Sequence, residues 1–201
     1  FFIALTLLTP GSKLLIKNVN CNPTRIGFIN ILKKKMNAKI NLKILNKKKY
    51  NEPTANILIK SSKLKPLNCP KNFVPNLIDE FPILFILAAV TKGTSKFSGI
   101  GELRNKESDR IKNIEVVLNK IGIKTKSTLS SLKIFGNPNI KIKKVIKVQP
   151  KGDHRIAMSF TILGLLLGIK FKIDNFETTN TSFPGFISLI KHLGGKVEIK
   201  K

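Results

Sequence analysis

Tryptophan is missing from this chain, tyrosine occurs only at Tyr50, and arginine occurs at four positions: Arg25, Arg104, Arg110 and Arg155. So few large aromatics argue against a single-stranded nucleic-acid module, which stacks bases on rings set among cations. Phe81, Phe85 and Phe160 fall instead inside apolar helical runs. Cys21 and Cys69 lack any partner spacing for a disulfide framework or a metal site, which fits a reducing, cytoplasmic compartment. The opening apolar run, Phe1 to Leu8, is far too short to span a bilayer and has no signal-peptide flanks, so no membrane partner is expected. It begins abruptly and without Met, which predicts a piece of a longer protein, cut inside a helix.

What the chain has in abundance is lysine. Lys and Arg total 37 against 11 Asp and Glu, for a net charge of +26. Such charge suits nucleic acid, membrane surfaces or small acidic ligands. Lysines nevertheless run along the whole length, and Asn and Ile are enriched with them, which favours compositional bias over a footprint on one face. Weak, salt-sensitive polyanion binding is expected in either case. The hydrophobic fraction of 42% is that of a globular protein with a sizeable core.

Aligning the glycines exposes a repeated unit. The first copy reads as an apolar helix, Thr9-Pro10-Gly11, a strand at Leu14 to Ile16, a helix from Ile26 to Lys35 and a strand from Lys39 to Leu45. The second has a helix from Phe81 to Val90, a strand from Lys96 to Ile100, a helix from Asp109 to Lys120, and strands within Lys124 to Phe135. The third has a helix from His154 to Leu167, a strand from Lys170 to Ile173, a helix from Phe186 to His192 and a strand from Lys196 to Ile199. Ile111, Ile114, Val117, Leu118 and Ile121 recur at helical spacing with polar residues between, so that helix is amphipathic. The Phe81 and His154 helices are apolar nearly all round, which buries them centrally. The fold class is therefore α/β, with helices inside and sheets outside. The polar, Pro-punctuated stretch from Ser61 to Pro66 is the best domain boundary.

Three polar clusters sit where helices begin: Asp79-Glu80, Lys106-Glu107-Ser108-Asp109-Arg110, and Asp153-His154-Arg155. Helix N-termini suit anions. Taken singly, each cluster also reads as ordinary capping by Asp79, Asp109 and Asp153, with Lys106 and Arg110 pairing locally or with solvent. Together they hold half of the scarce arginine, whose planar fork grips carboxylates and phosphates as lysine cannot. An anion-handling active site is the reading they favour. His154 is a plausible member but not its base. No metal-ligand spacing and no phosphate loop are present, so no metal and no cofactor are expected.

Leu77-Ile78-Asp79-Glu80-Phe81-Pro82-Ile83-Leu84, Glu102 to Arg110, Asp153-His154-Arg155-Ile156-Ala157-Met158-Ser159-Phe160 and Thr181-Ser182-Phe183-Pro184-Gly185-Phe186, in this order and spacing, resemble the 5-enolpyruvylshikimate-3-phosphate synthases. Asn22-Pro23-Thr24-Arg25 is similar to the branch of that family more distant from the enteric bacterial enzymes. The resemblance implies transfer of the enolpyruvyl group of phosphoenolpyruvate to the 5-hydroxyl of shikimate 3-phosphate, with release of phosphate, in aromatic amino acid biosynthesis. It implies two lobes of three βαβαββ units each, with residues 1–60 as the tail of the first lobe and 61–201 as most of the second. It further implies a monomer when full length, and a fragment inactive by itself.

By the same resemblance, Asp79 and Glu107 are the catalytic residues. Asp79 holds the proton of the attacking hydroxyl, and Glu107 exchanges a proton with the methylene carbon. Lys106 contacts shikimate 3-phosphate, Arg110 and Arg155 grip phosphoenolpyruvate, and Arg25 reaches the acceptor's phosphate. Thr181 stands where the enteric form has a lysine, so no contact is assigned to it. Two rivals remain: the related enolpyruvyl transferase acting on UDP-N-acetylglucosamine, and a basic nucleic-acid-binding module.

Overall fold

The structure is a computed structural model that describes residues 1–46 and 52–198; Tyr50 and Ile199 lie outside the described residues. Helix α1 (Phe2–Leu8) leads into a three-stranded sheet made of β1 (Lys13–Asn20), β2 (Lys39–Asn46) and β3 (Thr54–Lys60), with α2 (Gly27–Lys35) between the first two strands. The central strand is β3, antiparallel to both neighbours, and its Ala55, Ile57 and Ile59 point into the core. No strand was expected here from sequence. The period-two alternation of Ala55, Ile57 and Ile59 is the signal that marks it.

The second sheet has the order β4-β5-β7-β6, from β4 (Asn68–Cys69), β5 (Gly93–Ser98), β6 (Thr125–Ser127) and β7 (Ser131–Gly136). The third pairs β8 (Ile146–Val148) with β9 (Phe171–Ile173) in parallel. Inside these sheets lie α3 (Phe81–Val90), α4 (Arg110–Lys120) and α5 (His154–Leu167), and α6 (Phe186–His192) closes the described chain. The α/β class with helices inward is thus what the chain adopts.

All ten residues of α3 are buried, and the helix packs against α1, α4, α5 and β7. Each of its large apolar side chains contributes about 1.5–3 kcal/mol on burial. Phe81 and Phe85 pack on Phe97 of β5, with ring centroids 6.1 and 4.9 Å away, which ties this axial helix to the outer sheet. Helix α1 is anchored on two sides: it packs on β3, and Phe2 meets Phe183 and Phe186 at 5.7 and 5.6 Å.

Two boundary details bear on the polar clusters. Pro82 lies in the first turn of α3, where its missing N–H costs nothing, so the chain enters the helix directly after Asp79-Glu80. Gly27, the first residue of α2, lies so close to Asn76 that a Cβ would collide with its carbonyl oxygen. That contact seats the 3-10 turn Pro75–Leu77, two residues before Asp79.

The strand expected from Lys196 to Ile199 is not formed over residues 196–198. Val197 packs partly buried against the core. Alternation alone does not make a strand, because the backbone groups also need a neighbouring edge to pair with. Strand β5 also begins earlier than expected, at Gly93, and ends at Ser98 before a turn.

Candidate active site

Three helix starts deliver the candidate side chains to one place. Asp153 is the N-cap of α5, where its Oδ1 accepts from the N–H groups of Arg155 at 3.0 Å and Ile156 at 3.3 Å. Its other oxygen accepts from Ser108 Oγ at 3.1 Å and from Arg110 Nε at 2.8 Å. Asp153 is fully buried, as is Arg110. One carboxylate therefore caps α5 and clamps the first residue of α4 against it.

The rest of the Arg110 guanidinium faces two half-exposed acids. Nη2 donates to Glu107 Oε2 at 2.7 Å, and Nη1 lies 3.7 Å from Asp79 Oδ1. The second distance exceeds a hydrogen bond, and the buried Nη1 has no hydrogen-bond partner among the described residues. Arg155 approaches from α5: its Nη1 donates to the backbone carbonyl of Asp79 at 2.9 Å, and its Nη2 is 3.5 Å from Asp79 Oδ2. Asp79 thus lies between both arginines. Glu80 is 3.9 Å from Arg155. Burial pushes the Glu80 carboxyl above its usual range, against the pull of Arg155 and with a further push from Asp79.

Asp79, Glu107, Arg110 and Arg155 therefore converge. Lys106 is on the same loop, but its Nζ is held by Glu102 at 2.6 Å. His154 is half-buried as the first residue of α5, between Asp153 and Arg155. Arg25 stands apart, exposed on the loop before α2. Its charge acts on Glu52, whose carboxyl is held below its usual range by hydrogen bonds from Asn20 and Asn22, then by Arg25. Thr181 turns its hydroxyl back to the Thr178 carbonyl at 2.8 Å.

Asp153 is the helix cap and cluster member that the sequence indicates, but its pairing with Arg110 could not be read from it. Arg104 lies in the Glu102 to Arg110 stretch, and the sequence gives it no separate role. Its Nε and Nη2 donate to the carbonyls of Leu129 and Thr128 at 3.0 and 2.7 Å, and its Nη1 pairs with Asp109 at 2.8 Å. Asp109 caps α4 through the Lys112 N–H at 2.8 Å. This stitch closes the loop that carries Lys106 and Glu107 over the β6–β7 turn.

The wall so formed offers two carboxylates beside two guanidinium groups. Carboxylates can exchange protons, and guanidinium groups can offset the charge of a multiply charged anion. Among the described residues, no group of three or more His, Cys, Asp or Glu is arranged to hold a metal ion. Among the same residues, no helix is long and apolar enough to cross a membrane.

Comparison with known proteins places the chain in a family. The family model described as EPSP synthase (3-phosphoshikimate 1-carboxyvinyltransferase) matches residues 1–190. A 3-phosphoshikimate 1-carboxyvinyltransferase of Petrotoga mobilis is 43% identical over 194 residues, covering 96% of this chain and 44% of its own. The chain therefore spans less than half the length of that relative. The solved EPSP synthase of Acinetobacter baumannii superposes with a TM-score of 0.86 at 36% identity, over 100% of this chain and 46% of that one. The enolpyruvyl transferase NikO of Streptomyces tendae shares the fold, with a TM-score of 0.69 at 14% identity, over 98% of this chain and 42% of that one. With helix starts, acids and arginines placed as described, and a family match running through all of them, the chain belongs to the EPSP synthase family.

Proposed function

We infer that this chain supplies the acid–base wall and part of the donor site for transfer of the enolpyruvyl group of phosphoenolpyruvate to the 5-hydroxyl of shikimate 3-phosphate, with phosphate released. One observation carries the reading. Asp79 and Glu107, from separate segments, flank the two terminal nitrogens of the same buried guanidinium, Arg110. Addition of a hydroxyl to an enol phosphate takes a proton from oxygen and delivers one to carbon, so it needs two proton-handling groups on one wall. In the addition, Asp79 receives the hydroxyl proton and Glu107 protonates the methylene carbon. In the elimination that follows, Glu107 takes a proton back from the new methyl group as the C–O bond to phosphate breaks, and phosphate leaves with the proton held by Asp79. Arg110 and Arg155 hold phosphoenolpyruvate against the repulsion of the second anion. Lys106 serves shikimate 3-phosphate after leaving Glu102. Arg25 and His154 are assigned secondary contacts.

Residues 1–60 are read as the tail of one lobe and 61–201 as most of the other, with the cleft between lobes. The complete enzyme is read as a cytoplasmic monomer that uses neither nucleic acid nor membrane. Shikimate 3-phosphate is preferred to UDP-N-acetylglucosamine as acceptor because the curated relatives carry the former in their name.

A phosphate-release assay with both substrates tests the proposal. The chain alone is expected to be inactive, and the chain joined behind the front portion of a relative is expected to be active. Glu107→Gln in the joined protein should lower kcat by about 10²- to 10⁴-fold, the usual worth of a general acid–base group. Full activity of that variant would refute the assignment of Glu107.

A further inference from the structure

In a chain of net charge +26, four of the 11 acidic residues gather on two arginines. Asp79, Glu107 and Asp153 lie within 3.7 Å of Arg110, and Asp79 and Glu80 within 3.9 Å of Arg155. Four carboxylates against two guanidinium groups and the Phe1 ammonium, which acts on Glu80 and Arg155, still leave a local excess of negative charge. The pair proposed to receive an anionic donor is therefore already overcompensated.

These acids are not equivalent. Asp153 is fully buried and saturated with donors, so it is a permanent partner. Asp79 is half-exposed and lies beyond hydrogen-bond distance of both guanidinium groups through its side chain. Among the described residues, the buried Nη1 of Arg110, which it faces, has no hydrogen-bond acceptor. A buried donor left unpaired is costly, so a better acceptor at that point would be favoured.

We propose that Asp79 is a resident counter-anion of the Arg110–Arg155 pair, and that a phosphate-bearing ligand binds there by exchange with the Asp79 carboxylate. This deepens the reading of the two arginines as the donor site and rests on it. Asp79 thereby sets the anion affinity of the pair, as well as handling a proton. In the ligand-free chain it screens the guanidinium charges. Once its side chain turns from the guanidinium groups toward the acceptor hydroxyl whose proton it receives, Nη1 is uncovered and the field of both arginines is open to phosphate oxygens.

The test is a titration of the chain with inorganic phosphate at constant ionic strength, read by NMR at the arginine Nε–H signals. With four arginines in the sequence, Arg110 and Arg155 are separable from each other and from the lysine background. Asp79→Asn should lower the phosphate Kd at those two signals by about tenfold or more, since a full charge is removed within 4 Å of both groups. Asp174→Asn makes the same charge change beside Lys147 and should leave the Kd unaltered. Asp79→Ala, checked for folding by circular dichroism, guards against the amide itself bonding to the arginines. Equal or weaker phosphate binding in both Asp79 variants than in the parent would overturn the exchange while leaving the donor site standing. Absence of any shift at Arg110 and Arg155 in all proteins would overturn the donor site, and the exchange with it.

Discussion

Arg110 Nε lies 2.8 Å from Oδ2 of Asp153, and neither side chain reaches solvent. This is the joint between α4 and α5, and through Ser108 it also fixes the loop that carries Glu107. A buried ion pair of this kind is better evidence of placement than of net stability, because desolvating both charges offsets much of their attraction. Breaking it is a different matter.

Asp153→Ala leaves the Arg110 charge buried against weaker partners and removes the α5 cap. The expected loss is about 3–5 kcal/mol, as for other singly broken buried pairs. Urea denaturation gives the value from the shift in midpoint at unchanged slope. Asp153→Asn keeps a capping oxygen and should lose less.

Glu80 provides a pH signature. Burial raises its carboxyl above the ordinary value of 4.5, only partly opposed by Arg155 and reinforced by Asp79. A raised carboxyl binds more protons in the folded than in the unfolded chain between the two values, so stability falls as pH rises through that window. The contribution is complete below the unfolded value and lost above the folded one. Glu80→Gln removes it. The Tm of the variant relative to the parent should therefore climb as pH is raised upward from the ordinary carboxylate value of 4.5 in scanning calorimetry. A constant difference would contradict the assignment.

Lysine rows cross the sheets. Lys133 faces Lys96 on one side and Lys126 on the other, and all three are exposed. Lys60 likewise faces Lys13 and Lys39 in the first sheet. Like charges directly opposite each other destabilise a sheet. Lys133→Glu converts two repulsions into attractions and should stabilise the chain by about 1 kcal/mol at low salt. The gain should shrink as salt rises, which thermal melts across a salt series would reveal.

Gly136 ends β7 where it crosses the C-terminal turn of α3, and a Cβ there would collide with the carbonyl oxygens of Thr91 and Ala88. Neither oxygen can yield without moving the axial helix, and Asn137 N–H already bonds Ala89 O at 2.8 Å. Gly136→Ala should cost about 1–3 kcal/mol or more. Gly101→Ala, whose Cβ would meet Ser130 at an ordinary 3.4 Å, should change stability by less than about 0.5 kcal/mol.

The helices were legible because their signals are local. The apolar run of α3, the Asp cap and Gly168 stop of α5, and the bounds of α6 all read correctly from neighbours a few residues apart. Strands were less so. The alternation in β3 gives no strand in the sequence reading, and of the strand expected from Lys196 to Ile199 the described residues 196–198 form none, since pairing and not pattern decides whether a strand exists.

The amino-acid sequence by itself determined the α/β class, the inward helices, and the residue types that had to meet: two acids and two arginines at helix starts. Only the tertiary structure decided their partners. The Arg110–Asp153 contact spans 43 residues and the Arg155–Asp79 contact 76. Such distances are bridged by the packing of α4 and α5 around α3, which no local periodicity encodes. Burial of Arg110 between one fixed and two exposed carboxylates is a product of that packing.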